Sequence, residues 1–131
     1  MARRSRAREV AFQVLYQDDL NPSVKQSTGD EMIRNRLGSE KLIEFAQALV
    51  AGVRRGRKEL DEQIEGVAEN WTLGRMATTD RNVLRLGAYE ILQTDTPDRV
   101  AIDEAVELAK RYGAAQSAQF VNGILDRLMT K

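Results

Sequence analysis

Apolar residues recur every three or four positions along most of the chain, which is the spacing of amphipathic helices. The first apolar stripe lies within residues 3–20 and ends at an Asn-Pro pair, residues 21–22, that stops a helix. A polar loop is predicted at residues 23–29, followed by a short helix at residues 30–37. No segment alternates apolar and polar residues for long, so the predicted fold class is all-α.

The middle of the chain predicts two further helices and a connector. Ser39 can cap a helix whose apolar stripe continues to Val53. Gly52 and Gly56 are expected to weaken this region, so that Leu60 and the apolar residues after it belong to a separate helix. The segment 70–79 is interpreted as a connector in which Trp71 and Leu73 are the buried anchors.

The last third of the chain predicts three helices. Thr78 or Thr79 can cap the first, and Pro97 separates it from the second, which is predicted at residues 100–112. Gly113 stands where a left-handed C-terminal cap would lie, and Ser117 can cap the last helix. Helices of this length must pack together to bury their stripes. We therefore predict two packed helical subdomains, about residues 1–70 and 71–131, on either side of the connector.

Composition narrows the possible chemistry. The chain has 131 residues, 42% of them hydrophobic, and contains neither Cys nor His. The absence of these residues excludes thiolate nucleophiles and the commonest general base and metal ligands, so no enzyme activity, metal site or cofactor is predicted. Carboxylates at Asp103, Glu104 and Glu107 are interpreted as a solvated helix face. No apolar run is long enough for a membrane span, and a cytoplasmic location is predicted.

Positive charge is concentrated in two places, although the 20 basic and 20 acidic residues balance overall. The arm cluster, defined as Arg3, Arg4, Arg6 and Arg8, is expected to form a frayed first helical turn. Guanidinium groups pair with phosphates and stack on unpaired bases, so an RNA-binding arm and a solubilising tail are both open interpretations. The second cluster, at residues 54–58, comprises Arg54, Arg55, Arg57 and Lys58 and is interpreted as a solvated face.

Aromatic residues offer a second route to nucleic acid, because exposed rings can stack on bases. Trp71 and Tyr112 are interpreted as core residues. Phe120 differs, because it follows Gln116 and Gln119 and precedes Asn122, all of them polar. An exposed ring at this position could stack a base.

Three strings together resemble the NusB transcription-antitermination family. These are RRSRAREVAFQVLYQ at the start, DRNVLRLGAYEIL in the centre, similar to the family's fifth helix, and VAIDEAVELAKRYGAAQSAQFVNGILDRL near the end. The resemblance implies an all-α, NusB-like fold of two small packed helical bundles without catalytic activity. It also implies binding of single-stranded boxA RNA in leaders of ribosomal RNA operons. It implies binding together with NusE, a small-subunit ribosomal protein, in an RNA polymerase antitermination complex.

The resemblance also assigns roles to individual positions. The family's RNA-binding arm matches Arg3, Arg4, Arg6 and Arg8, and the loop and helix start that flank RNA match Gln116, Gln119, Phe120 and Asn122. The NusE interface matches Tyr16, Leu20, Asp80, Leu84 and Tyr89, and for Leu84 and Tyr89 burial in the core is an equally open interpretation. Relatives often carry an acid and a Lys where this chain has Gln116 and Gln119, which leaves its base preference open.

Two alternatives from other classes stay open at this point. The chain could be a helical protein-interaction module that binds NusE with little RNA affinity of its own. The chain could also be the appended helical domain of an RNA methyltransferase. This hypothesis is disfavoured, because it requires a cofactor domain and 131 residues leave no room for one. A homodimer is possible through an unpaired helix face. The RNA-binding interpretation requires that the arm cluster and Phe120 lie on the same side of the molecule.

Overall fold

The computed structural model describes residues 3–130, and these residues form six α-helices without any strand. The helices are α1 (Arg3–Leu20), α2 (Gln26–Arg36), α3 (Glu40–Val67), α4 (Thr78–Gln93), α5 (Asp98–Tyr112) and α6 (Ser117–Met129). A single 3-10 turn at Leu73–Arg75 lies between α3 and α4. The predicted all-α fold class is therefore confirmed.

One continuous core joins the six helices. Helix α1 packs on α3 and α4, and α5 pairs with both α4 and α6. The buried side chains include Phe12 on α1, Ile64 on α3, Leu84 on α4 and Ile124 on α6. Buried residues before and after residue 70 belong to the same cluster. The division into two subdomains near this residue stays a prediction. Across residues 3–130, no helix combines the length and the apolar composition needed to cross a membrane.

The prediction that α3 breaks near its glycines is wrong, because α3 runs unbroken over 28 residues. Gly52 is buried where α3 meets the phenol ring of Tyr89 on α4, and a β-carbon at this position would overlap that ring. Gly56 has open space around its α-carbon. The glycine at position 52 therefore permits close helix packing, which outweighs its unfavourable helix propensity.

Several predicted helix ends differ in detail. Ser39 caps α3 as predicted, since its side chain accepts a hydrogen bond from the Leu42 N–H. Helix α4 instead begins after Ala77, without a side-chain cap from Thr78 or Thr79. Gly113 ends α5 with φ of −94°, so the left-handed cap is wrong. Ser117 is the first residue of α6 rather than its cap, and its hydroxyl accepts from the Ala114 N–H.

Helix α2 starts at Gln26, four residues before the predicted start at residue 30. The residues interpreted as a polar loop include Gly29, which is buried against Val14 of α1. A contact with a distant part of the chain therefore extends the helix beyond its local apolar pattern.

The two residues predicted to anchor the connector before α4, Trp71 and Leu73, differ in burial. Glu69 and Asn70 adopt positive φ values of 47° and 74°, which turn the chain after α3. Leu73 is buried as predicted, and its N–H donates to the Glu65 carboxylate at 2.8 Å. Trp71 is 47% exposed, so its assignment to the core is wrong.

Candidate nucleic-acid interface

Arg8 is the buried member of the arm cluster. Its guanidinium donates from Nε and Nη2 to the two carboxylate oxygens of Glu90, at 2.8 and 2.9 Å, and from Nη1 to Glu104 at 3.2 Å. Burial alone would lower the Arg8 pKa, but the two carboxylates outweigh it and raise the pKa above its ordinary value. The prediction that Arg8 contacts RNA is therefore wrong, because its guanidinium is enclosed by protein. Arg8 instead fastens α1 to α4 and α5.

The earlier arm arginines lie at the surface. Arg3 and Arg4 are exposed, and the Arg4 guanidinium carbon lies 4.5 Å from the centre of the Phe45 ring on α3. Arg6 is half-buried and pairs with Glu9 at 2.8 Å. All three belong to α1, so the prediction that this turn is frayed is wrong. Arg3 and Arg4 thus present their charge from an ordered helix.

Glu9 gathers hydrogen bonds from two helices. Its carboxylate accepts from Tyr112 at 2.6 Å and from Arg111 and Arg6 at 2.8 Å each. Burial would raise the Glu9 pKa, but these three donors outweigh it and lower the pKa from 4.5 to about 2. The carboxylate therefore stays charged at neutral pH and ties the arm end of α1 to the end of α5.

Arg111 extends the positive surface and was missed by sequence reasoning. Its side chain is about half exposed although it pairs with Glu9. Arg111 lies in the last turn of α5, where the helix dipole stabilises a basic residue. That structural role explained the residue in the sequence, so no binding role was predicted for it. Arg111 contacts Glu9 beside the arm, and four residues separate it from Gln116 in the sequence.

Phe120 lies at the edge of an aromatic hollow rather than inside the core. The ring is half-buried and meets Trp71 edge-on, with the ring centres 5.5 Å apart. The hollow has a volume of about 530 Å³ and is also lined by Gln116, Gln119 and Asp80. Asn122 is exposed on the next part of α6 but does not line this hollow. The structure thus brings three of the four predicted residues of this region together, with Trp71 added.

The arm and the aromatic hollow do not form one cavity. Arg8 contacts Glu90 near the end of α4, whereas the hollow includes Asp80 in the first turn of the same helix. Ten residues of α-helix separate these two contacts by about 15 Å along its axis. No residue of the arm cluster lines the hollow, so the two regions are separate.

A second hollow, of about 530 Å³, contains part of the predicted partner interface. Tyr16 and Leu20 line it together with Met32 of α2 and Tyr112 of α5. Leu20 is 59% exposed, which is unusual for a leucine in an ordered helix. The hollow is largely apolar and is bordered by Arg36 and Thr79. This surface has the character of a site for a protein side chain.

The other predicted interface residues lie elsewhere. Leu84 is completely buried, so it cannot contact a partner and that assignment is wrong. Tyr89 is half-buried because its ring packs against Gly52. Asp80 lines the aromatic hollow instead of the hollow at Leu20. Its Oδ1 is buried without a hydrogen-bond partner among the described residues 3–130, at the α4 N-terminus where the helix dipole favours negative charge.

The cluster at residues 54–58 is partly held by the acidic end of α1. Arg54 donates to Asp18 at 2.8 and 3.0 Å, and Arg57 lies 3.7 Å from Asp19. Asp19 also pairs with Arg81 and Arg85. Burial would raise the Asp19 pKa, but hydrogen bonds from Arg81 and Asn82 and the nearby positive charges lower it. Arg55 and Lys58 remain exposed.

These features define a small all-helical protein with a cationic helix start, an aromatic hollow and a separate apolar hollow. Residues 5–130 match the model of the NusB family, and the chain belongs to that family. A transcription antitermination protein NusB from Anaeromyxobacter sp. (strain Fw109-5) is 47% identical over 130 residues, which cover 96% of this chain and 89% of the relative.

Solved structures agree with the fold. T. maritima NusB superposes with a TM-score of 0.86 at 36% identity, covering 100% of this chain and 92% of that one. A crystal structure of the antitermination factors NusB and NusE in complex with dsRNA contains a chain with a TM-score of 0.87 at 30% identity. That match covers 99% of this chain and 98% of its counterpart.

Proposed function

We propose that this protein is a non-catalytic transcription antitermination factor of the cytoplasm. In this proposal it binds single-stranded boxA RNA of ribosomal RNA operon leaders together with NusE, as part of an RNA polymerase antitermination complex. The observation that carries the RNA-binding role is the ordered start of α1, where Arg3 and Arg4 are exposed while Arg8 anchors the helix. Relatives named transcription antitermination protein NusB, and a related chain solved with NusE and RNA, support the assignment.

The RNA is proposed to follow the surface from the arm to the aromatic hollow. Arg3, Arg4 and Arg6 would contact phosphates, which supply affinity that depends on salt. Amides at Gln116, Gln119 and Asn122 would contact base edges, and the Phe120 ring would stack a base. Arg8 would contribute by holding the first turns of α1 in place. Selectivity would therefore come from the α6 end of the path.

NusE is proposed to use the apolar hollow at Tyr16 and Leu20. Exposure of Leu20 favours this site, because a partner that covers it removes apolar surface from water. We propose that Asp80 lies at the border of this interface, because the preceding residue, Thr79, lines the hollow. Tyr89 would contribute at most its outer edge. A homodimer that covers the same hollow would compete with NusE.

A protein-interaction module without RNA affinity of its own is the second candidate. The specific observation in its favour is that acids already hold two of the four arm arginines, Arg8 and Arg6. In that case Arg3 and Arg4 would serve solubility alone, and RNA would bind only when NusE is present.

Replacing both exposed arm residues, Arg3→Ala with Arg4→Ala, tests the proposal. We expect about tenfold weaker binding of labelled boxA RNA near 0.15 M salt, and a log–log salt slope shallower by about 1.4, because two phosphate contacts to a single strand are lost. Fluorescence anisotropy across a salt series measures both quantities, with and without NusE. Arg8 is left intact because its loss would disturb the fold.

The matched control removes two exposed charges from another face, Arg55→Ala with Lys58→Ala. This variant has the same net charge as the arm variant, and we expect less than a twofold change in affinity. Equal salt slopes for the arm variant and the wild type would contradict the RNA-binding role. RNA binding that requires NusE in every variant would favour the interaction module instead.

A further inference from the structure

Trp71 is the single tryptophan of the chain, and about half of its surface is exposed. It is 47% exposed in the connector before α4, although tryptophan has more apolar surface to bury than any other side chain. Phe120 meets it at an interplanar angle of 72°. This edge-on contact fixes the indole while leaving ring surface for a third, flat group.

Arg75 places a positive charge beside this aromatic pair. It follows Trp71 by four residues, lies in the 3-10 turn, and lines the same hollow. Its side chain is exposed, and its guanidinium has no ion-pair partner among residues 3–130. Asp80 is the acidic residue that lines the hollow, and its Oδ1 is turned into the protein. The positive charge at the rim is therefore available to an anion.

We propose that Trp71 and Arg75 form a nucleotide-binding site for single-stranded RNA. The indole stacks one unpaired base against the ring surface that Phe120 leaves free, and Arg75 pairs with a phosphate next to that base. An aromatic platform beside a cation is the combination that binds unpaired nucleotides. This inference rests on the proposed RNA-binding function and extends its path beyond Phe120 onto the connector.

The composition of the hollow favours a nucleotide over a protein side chain. Its volume of about 530 Å³ is in the range of small-ligand sites and admits a base with its sugar. Amide groups of Gln116 and Gln119 line it, and these can donate and accept at a base edge. The apolar hollow at Leu20 also has an exposed arginine, Arg36, at its border, but its Tyr16 and Tyr112 rings are half-buried, whereas Trp71 is 47% exposed. This difference in ring exposure is why we assign the partner protein there and RNA here.

Fluorescence of the wild-type protein tests the contact directly, since Trp71 is its sole tryptophan. We expect saturating quenching of this fluorescence by a boxA RNA oligonucleotide, at the same concentration that saturates anisotropy of the labelled RNA. Inorganic polyphosphate, which has charge but no bases, should bind without comparable quenching. When NusE is included, the same titration of Trp71→Phe shows any signal that comes from the partner.

Variants then separate stacking from charge. Trp71→Ala should weaken RNA binding by roughly 5- to 150-fold and leave polyphosphate binding unchanged, because only stacking is lost. Arg75→Gln should weaken both ligands. Leu92→Ala is the matched control, since it removes another exposed apolar side chain at the far end of α4 and should change neither affinity. Circular dichroism checks that each variant keeps its helices.

The outcomes distinguish this site from the proposed function as a whole. RNA that binds saturably without quenching Trp71, and equally well to Trp71→Ala, would overturn the site while leaving the RNA-binding proposal in place. Quenching by NusE alone, with none by RNA, would assign the hollow to the protein partner and overturn the site as well. Absence of RNA binding to the wild type, with or without NusE, would overturn both.

Discussion

The two basic clusters contain the same number of positive charges and divide them in the same way. In the arm cluster Arg8 and Arg6 pair with acids, while Arg3 and Arg4 stay exposed. In the cluster at residues 54–58, Arg54 and Arg57 pair with Asp18 and Asp19 at the far end of α1, while Arg55 and Lys58 are exposed and form no ion pair among residues 3–130. Counting charges, paired or free, therefore cannot tell a ligand site from a solvated face.

The surroundings of the free cations make the difference. Arg4 lies on the Phe45 ring, and the exposed Arg111 continues the positive surface towards α6. Arg55 instead shares a hollow with Asp30, and Lys58 shares one with Glu62. An anion that approaches the arm meets a cation on an aromatic ring. One that approaches α3 meets hollows that mix cations with carboxylates and are lined by no aromatic residue. The following experiments test this contrast, starting with the largest expected effect.

The largest effect is expected at the buried arginine of the arm. Arg8→Ala should lower the free energy of unfolding by about 3–5 kcal/mol, because it leaves the Glu90 carboxylate buried without its partner. Arg3→Ala, five residues earlier on α1 and exposed, should change it by no more than about 0.5 kcal/mol. Urea unfolding followed by circular dichroism measures both. A loss below about 1 kcal/mol for Arg8→Ala would mean that this ion pair does not anchor α1.

An intermediate effect is expected from acid. The Glu9 pKa is about 2 in the fold, below its ordinary value, so ionisation of Glu9 stabilises the fold at pH above about 4.5. This contribution, about 3 kcal/mol, is lost as the pH falls from about 4.5 to 2. Glu9→Gln should be less stable at pH 7 and should show a weaker dependence on pH across that window. Parallel slopes for the variant and the wild type would exclude this role for Glu9.

The smallest effect is expected in the cluster at residues 54–58. Arg54 and Asp18 are both partly exposed, so Arg54→Ala should cost only about 1 kcal/mol of stability. RNA affinity should not change, because Arg54 lies with the acidic end of α1 rather than with the arm. Thermal unfolding and anisotropy measure the two quantities. A fall in RNA affinity as large as that of the arm double variant would erase the contrast between the two clusters.

Sequence reasoning succeeded where local chemistry decides the structure. The bounds of α1 follow from its apolar stripe and the Asn-Pro pair after it, and Ser39 caps α3 as predicted. It failed where distant contacts decide. Gly52 does not interrupt α3, because Tyr89, 37 positions later in the chain, packs against it. Arg8 is enclosed by Glu90, 82 positions away, and no feature near residue 8 could have revealed this.

The candidate site shows the same limit. Phe120 and its polar neighbours could be selected because they are adjacent in the sequence. Trp71 could not be selected in this way, because an isolated tryptophan is buried in most proteins. Only the path of the connector leaves its side chain exposed. Leu84 and Tyr16 both fit an apolar helical stripe, and only packing decides that one is sealed and the other lines a hollow.

The fastening of α1 by Arg8 has a thermodynamic consequence for ligand capture. A tail that becomes helical only on contact loses backbone entropy of roughly 1–2 kcal/mol for each residue that it orders. Here the helix already begins at Arg3, so that loss has occurred during folding and is not subtracted from the affinity for RNA. Binding should consequently add no helical signal in circular dichroism, and association should resemble docking onto a rigid surface rather than coupled folding.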